Sequence, residues 1–132
     1  MYYRRANIPG ATNFFTVNLA DRKSGLLVEN IDLLKESIRQ VKIAHPFEID
    51  AMVVLPDHLH ATLTLPPNDA DFATRWALIK AGFSRGLPKV ERISESRKSK
   101  GERGVWQRRY WEHLIRDDED SRAMSITFIT IP

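Results

Sequence analysis

Hydrophobic and β-branched residues recur along the chain in short runs that predict four strands. The first run is Phe14–Leu19, and a pair of runs follows at Phe47–Leu55 and His58–Leu65. A two-residue break separates the members of that pair, which predicts an antiparallel hairpin. The last run, Trp106–Arg116, returns to aromatic and β-branched character and predicts the fourth strand.

Apolar residues at helical spacing predict two helices between these strands. The first covers Asn30–Ala44, with Asn30 as its N-cap, and ends before a proline. The second begins at a cap formed by Asp69 or Asp71 and ends near Arg85. Each helix has one apolar stripe, so each is expected to bury one side.

The order strand, helix, strand, strand, helix, strand is that of the split βαβ plan. We therefore predict an α+β fold, a ferredoxin-like split βαβ sandwich whose antiparallel sheet carries its helices on one face. A chain of 132 residues has room for one such domain. It contains no cysteine, which excludes disulfides, thiolate metal sites and cysteine nucleophiles. No apolar run approaches the ~20 residues of a membrane span, so we expect no membrane partner.

Positive charge is concentrated in one stretch of the chain, although the formal net charge is only +3. From Arg85 to Arg109, nine Lys and Arg residues stand against three Glu residues. A basic segment beside a compact domain favours a polyanionic partner such as nucleic acid. A solvated loop is the alternative, and charge alone does not separate the two interpretations.

His58 and His60 are the candidates for metal binding. In a strand, residues two apart point to the same face, so both imidazoles are expected side by side. This spacing suits two ligands of one divalent cation. Asp57, at the start of the strand, is a candidate hydrogen-bond partner that orients a ligand histidine. Plain polar alternation on a solvent face is the alternative interpretation.

A second cluster interleaves basic and aromatic residues over Gly104–His113. Arginine can bind phosphate with two hydrogen bonds, and aromatic rings can stack on unpaired bases. Arg108 and Arg109 are therefore candidates for phosphate contacts and Trp106 for a contact with DNA. The alternative is that the aromatic residues of this cluster belong to the core.

Together these segments resemble the IS200-like transposases, and most closely the REP-associated tyrosine transposases, which are single-strand DNA nucleases of bacteria. The histidine–hydrophobic–histidine motif is Leu55–His60. The resemblance extends over nearly the whole chain, and the other matching segments are Tyr3–Arg5, Phe14–Val17, Ile49–Val54, Trp76–Lys80 and Trp106–His113.

The resemblance implies that His58 and His60 hold Mg²⁺ or Mn²⁺ against a scissile phosphate, which a tyrosine hydroxyl attacks to form a phosphotyrosine intermediate. It implies single-stranded or hairpin DNA from palindromic repeat elements as the partner, and a monomer or homodimer in the bacterial cytoplasm, associated with the nucleoid. The residues expected to contact DNA are Arg4, Arg5, Lys98, Lys100, Trp106, Arg108 and Arg109.

The chain departs from the family where the nucleophile is expected. The family reads Tyr-Ile-His-Tyr-Asn-Pro there, whereas this chain reads Ile126–Pro132 and has no tyrosine after Tyr110. In a shifted reading frame, codons for Ile126–Pro132 can spell Asp-Tyr-Ile-His-Tyr-Asn-Pro. We therefore predict a truncated IS200-like transposase domain over residues 1–122 and a frameshifted tail over residues 123–132 that replaces the nucleophile helix.

Three functional hypotheses follow from these observations. The first is a transposase-family protein that binds single-stranded or hairpin DNA and has lost strand cleavage. The second is an active nuclease that uses Tyr110, or a tyrosine of a partner chain. The third is a nucleic-acid-binding regulator without chemistry, because RNA-binding domains share the split βαβ plan.

Overall fold

The computed structural model describes residues 8–88 and 104–115, which form one antiparallel sheet and the helices that cover it. The elements in chain order are β1 (Thr12–Asn18), α1 (Leu26–Glu29), α2 (Ile31–Ala44), β2 (Glu48–Val54), β3 (His58–Thr64), α3 (Phe72–Arg85) and β4 (Trp111–Ile115). The predicted split βαβ order is confirmed.

The strand order in the sheet is β2-β3-β1-β4, and each neighbouring pair is antiparallel. The predicted hairpin joins β2 to β3, and the Leu55 amide closes it by donating to the His58 carbonyl oxygen at 2.8 Å. β1 lies between β3 and β4, so residues of all three strands come into register across it. This arrangement is the ferredoxin-like sandwich that the sequence predicts.

One face of the sheet is covered by the two long helices. Phe15, Val17, Leu59 and Leu63 point to this face and are fully buried. On the helix side they meet the apolar stripes of α2 and α3, namely Leu34, Ile38, Val41, Phe72, Trp76, Ile79 and Phe83. Because side chains alternate along a strand, the residues between these core positions point to the other face of the sheet.

Two local predictions differ from the structure. Asn30 precedes α2, but its side chain donates to the Leu26 carbonyl oxygen at 3.0 Å and caps no α2 amide. The reason is α1, a short helix that the sequence did not predict, whose end Asn30 also forms. The fourth strand is shorter than predicted, because Trp106 makes only an isolated bridge with Leu19 before β4 begins at Trp111.

Asp71 is the N-cap of α3, one of the two predicted candidates, and it accepts a hydrogen bond from the Thr74 amide at 2.9 Å. Asp69 has a different role, since its carboxylate binds the buried guanidinium of Arg75 through both oxygens. Arg75 also donates to the carbonyl oxygens of His45 and Pro46, just after α2. One arginine thus ties the end of α2 to the start of α3.

Several sequence predictions lie outside the described residues. They are the contacts of Arg4, Arg5, Lys98 and Lys100 with DNA, the domain boundary at residue 122, and the tail over residues 123–132. Within the described residues, no helix has the length and apolar character needed to cross a membrane.

Candidate metal and nucleic-acid site

The histidine pair lies on the sheet face opposite the helices. Leu59, between the two histidines, is fully buried in the core, so His58 and His60 both project from the other face. Their ring centroids are 5.0 Å apart and their planes are nearly perpendicular, at 80°. The side-by-side arrangement expected from the strand spacing is therefore present.

His58 is held from the hairpin turn by Asp57. Oδ1 of Asp57 lies 2.8 Å from Nδ1 of His58, and Oδ2 accepts a hydrogen bond from Nε of Arg22. The Arg22 contact, followed by the His58 contact, lowers the pKa of Asp57 to about 2. The carboxylate is therefore ionised at neutral pH and can only accept, so Nδ1 of His58 must carry the proton. In neutral His58 the lone pair is then on Nε2.

His60 is held from the neighbouring strand by Thr16. The Thr16 hydroxyl oxygen lies 2.9 Å from Nδ1 of His60, and the two residues are directly opposed in the β1–β3 register. Burial, and then the nearby charge of His58, lower the pKa of His60. Both effects favour the neutral imidazole, which is the form that binds metal ions.

The donor chemistry of the pair fits two positions of a divalent cation site. Both histidines contact a protein partner through Nδ1, so Nε2 is the ring nitrogen that each would use to bind a cation. Among residues 8–88 and 104–115, no group of three or more His, Asp or Glu side chains could hold a metal. The remaining positions would go to water or phosphate oxygens, ligands that Mg²⁺ and Mn²⁺ both accept.

Trp106 lies in the core, which corrects its expected contact with DNA. Its ring is only 5% exposed and packs edge-on against Phe83, with centroids 5.5 Å apart. The indole Nε1 donates to the Lys80 carbonyl oxygen at 3.1 Å. A side chain buried against α3 and hydrogen-bonded there has no surface on which a base can stack, so Trp106 anchors this segment to the helix.

Arg108 and Arg109, by contrast, are exposed on a segment that is fixed at its start. Gln107 holds that start: its backbone amide donates to the Asn18 carbonyl oxygen at 3.0 Å, and its carbonyl oxygen accepts from Nζ of Lys80 at 2.9 Å. Asn18 is directly opposite His58 in the sheet. The arginine pair therefore follows an anchor at the same end of the sheet as the histidines.

Tyr110 points to the core face, away from the histidines. It is 6% exposed and packs against Phe15 and Trp76, with ring centroids 5.6 Å and 6.3 Å away. A nucleophile must reach the phosphate that the metal holds, and here the sheet separates the phenol from the histidine face. This geometry argues against Tyr110 as the attacking group.

Curated relatives match this chain over most of its length. A protein of Haemophilus influenzae assigned as a REP-associated tyrosine transposase is 43% identical over 119 residues, which is 89% of this chain and 68% of that protein. The chain belongs to the REP-associated tyrosine transposase family. The family member of Escherichia coli K12 is 44% identical over 120 residues, 91% of this chain and 65% of that protein. The chain thus spans about two thirds of the length of these relatives, and no family model matches it.

Solved structures agree with this assignment. A REP-associated tyrosine transposase bound to a REP hairpin superposes with a TM-score of 0.77 at 43% identity, covering 94% of this chain and 67% of that one. A Deinococcus radiodurans protein assigned as a transposase gives a TM-score of 0.59 at 18% identity, covering 96% and 95% of the two chains. The second likeness concerns the fold alone.

Sequence reasoning missed three side chains of this family member's histidine face: Thr16, Arg22 and Trp111. Thr16 and Arg22 lie far from the histidines in sequence, and only the strand register and the turn bring them close. The sequence pattern could have identified Trp111, because Tyr110 and Trp111 are adjacent and must point to opposite faces of a strand. Once Tyr110 is assigned to the core, Trp111 is assigned to the histidine face.

Proposed function

We propose that this chain binds single-stranded or hairpin DNA on its histidine face, with Mg²⁺ or Mn²⁺ at His58 and His60. The observation that carries the proposal is the similarity, across 94% of the chain, to a transposase solved with a REP hairpin bound. The paired imidazoles and the exposed arginines at the same end of the sheet support it. A DNA partner of this kind would place the protein in the bacterial cytoplasm, beside the nucleoid.

Two sets of residues in this chain would bind a DNA strand, one through the cation and one directly. The Nε2 atoms of His58 and His60 would hold the cation, with Asp57 and Thr16 fixing the two rings from behind. A bound divalent cation supplies Lewis-acid polarisation of a phosphoryl oxygen. Arg108 and Arg109 would bind neighbouring phosphates, as the planar guanidinium group does well.

Strand cleavage by this chain is, in this proposal, lost. The resemblance implies a nucleophilic tyrosine in the motif expected at residues 126–132, and those residues contain none. Tyr110 itself packs into the core on the other side of the sheet. The proposed activity is therefore metal-assisted DNA binding without a phosphotyrosine step.

A binding experiment tests the proposal. Fluorescence anisotropy of a labelled REP hairpin with a single-stranded flank, in Mn²⁺, should show saturable binding by the wild-type chain. Calorimetry should show Mn²⁺ binding that His58→Ala and His60→Ala each abolish, with circular dichroism confirming that both variants fold. Unchanged Mn²⁺ affinity in the double variant would contradict the metal assignment.

The choice of nucleic acid is tested with an RNA hairpin of the same sequence. The proposal predicts weaker binding to RNA, because its A-form stem and its 2′-hydroxyl groups change the backbone that the arginines must contact. Equal affinity for RNA and DNA would favour the third hypothesis, a nucleic-acid-binding regulator. No binding to either would overturn the proposed function.

A further inference from the structure

A continuous row of aromatic rings extends from the histidine pair across three strands. Ring centroids are 5.0 Å apart between His58 and His60, 5.6 Å between His60 and Phe14, and 5.6 Å between Phe14 and Trp111. His113 continues the row, its ring parallel to Trp111 within 5° at 6.0 Å. The row follows the sheet order β3, β1, β4, and all of it lies on the face opposite the helices.

Trp111 occupies a defined place in this row. It is directly opposite Thr16 on β1, and Thr16 is directly opposite His60 on β3. Neighbouring strands are about 4.8 Å apart, so Trp111 stands about 10 Å from His60 across the sheet. Trp76 and Trp106 are 1% and 5% exposed, whereas the side chain of Trp111 is partly exposed to solvent.

These positions separate two kinds of contact on one surface. The histidines would reach a phosphate backbone through the cation that they hold, whereas Trp111 offers a flat apolar ring that carries no charge. A duplex hides the faces of its bases inside the stack, so only an unpaired base can lie against an indole. The surface therefore suits a single strand whose backbone passes the histidines and whose neighbouring base turns toward β4.

We propose that Trp111, supported by Phe14 and His113, is a stacking platform for one unpaired base of the DNA strand that crosses the histidine face. The inference rests on the proposed function, because it requires that the chain binds single-stranded DNA. It adds the residue that contacts a base, and it places that base on the β4 side of the histidine pair. Trp111 takes over the role that the sequence assigned to Trp106.

The first experiment compares Trp111→Ala with Trp111→Phe. Loss of stacking on one base should weaken binding of the flanked hairpin about 5- to 100-fold in Trp111→Ala. Trp111→Phe keeps a flat ring and should retain most of the affinity. The salt dependence of binding should not change in either variant, because no phosphate contact is removed. Thermal unfolding followed by circular dichroism confirms that both variants fold.

The second experiment identifies the base. Abasic sites are placed one at a time along the single-stranded flank, and each oligonucleotide is titrated with the wild-type and Trp111→Ala chains. In the wild type one position should show a marked loss of affinity, and in Trp111→Ala the same abasic site should cost little. That non-additivity is the signature of a direct contact between the base and the indole.

The outcomes distinguish the inference from the function on which it rests. If the wild type binds the hairpin and Trp111→Ala binds it equally well, the platform is wrong and the proposed function stands. An abasic loss of the same size in both chains also overturns the platform. If the wild type binds no DNA, the proposed function fails and the platform fails with it.

Discussion

The Thr16 hydroxyl oxygen lies 2.9 Å from Nδ1 of His60, and the two residues face each other across β1 and β3. The Nδ1 atom of His58 has a carboxylate as its partner instead, with Oδ1 of Asp57 at 2.8 Å. Asp57 can only accept, whereas a threonine hydroxyl can donate or accept. The proton of His58 is therefore fixed by its partner, and that of His60 can adapt to a ligand at Nε2.

Replacing Thr16 by valine should weaken metal binding without unfolding the sheet. Valine has nearly the shape of threonine but cannot hold the His60 ring, and loss of such a partner lowers metal affinity by about 10- to 100-fold. Mn²⁺ titration by calorimetry measures the change. Nitrogen chemical shifts of the Mn²⁺-free imidazoles should also change at His60 but not at His58 in Thr16→Val, because only His60 loses its partner.

Thr12→Val is the matched control. Thr12 lies on the same strand and face, but its hydroxyl contacts Thr64 at 2.7 Å instead of a histidine. It should leave Mn²⁺ affinity and the His60 tautomer unchanged. If the two valine variants behave alike, the hydrogen bond to His60 has no role in metal binding.

Arg109 provides a test of electrostatic contact with DNA. It is exposed and follows the Gln107 anchor, so Arg109→Ala should remove one phosphate contact without disturbing the fold. For a single strand, the slope of log K against log salt should become shallower by about 0.7. Arg39→Ala is the control, because Arg39 is an exposed arginine paired with Glu36 on α2. Equal slopes for Arg109→Ala and the wild type would mean that Arg109 contacts no phosphate.

The fold and the histidine pair were predictable because both follow from local periodicity. Alternation along β3 placed Leu59 in the core and its two neighbours outside, which is confirmed. The apolar stripes of α2 and α3 likewise followed from spacing alone. Each of these predictions needs the sequence of only one helix or strand. It does not require knowing which other elements pack beside it.

The rest of the site depends on register and on the face that each residue takes. Thr16 meets His60 only because β1 pairs with β3 at one particular offset, which hydrophobicity does not specify to the residue. Trp106 and Trp111 look alike in a basic and aromatic segment, but the first packs on Phe83 and the second on Phe14. Strand alternation puts Trp106 and Tyr110 on one face and Trp111 on the other, as observed, but it does not indicate which of the two faces packs against the helices.

Among residues 8–88 and 104–115, Arg75 should be the charged residue whose replacement lowers the stability of the fold most. Its side chain is 3% exposed and donates to the carbonyl oxygens of His45, Pro46 and Asp71 as well as to Asp69. Arg75→Met leaves these acceptors without a partner and should destabilise the fold by about 3 kcal/mol. Urea unfolding measures the change, and Arg39→Met, at an exposed position, should have little effect.

The pH dependence of the same pair follows from Asp69. Its hydrogen bond with Arg75, and then that with the Asp71 amide, lower the pKa of Asp69. A lowered pKa contributes stability above the unfolded value near 3.9, and this contribution is lost as the pH falls through the folded value. The stability difference between the wild type and Asp69→Asn should be constant from about pH 5 to 7 and shrink below about pH 4. A difference that does not depend on pH would contradict an ionic role for Asp69.

The last prediction concerns the missing nucleophile. The run Ile126–Ile131 consists of five β-branched residues and one phenylalanine, a composition that favours a strand over a helix. With a hairpin oligonucleotide and Mn²⁺, the 132-residue chain should form no covalent protein–DNA adduct on a denaturing gel. A variant with Asp-Tyr-Ile-His-Tyr-Asn-Pro in place of residues 126–132 should regain the adduct, and His58→Ala should remove it again. An adduct from the unaltered chain would overturn the prediction, and loss of that adduct in Tyr110→Phe would identify Tyr110 as the nucleophile. Sequencing the gene provides an independent check, because codons from Ala123 onward that do not spell the tyrosine motif in the shifted frame would show the tail to be native.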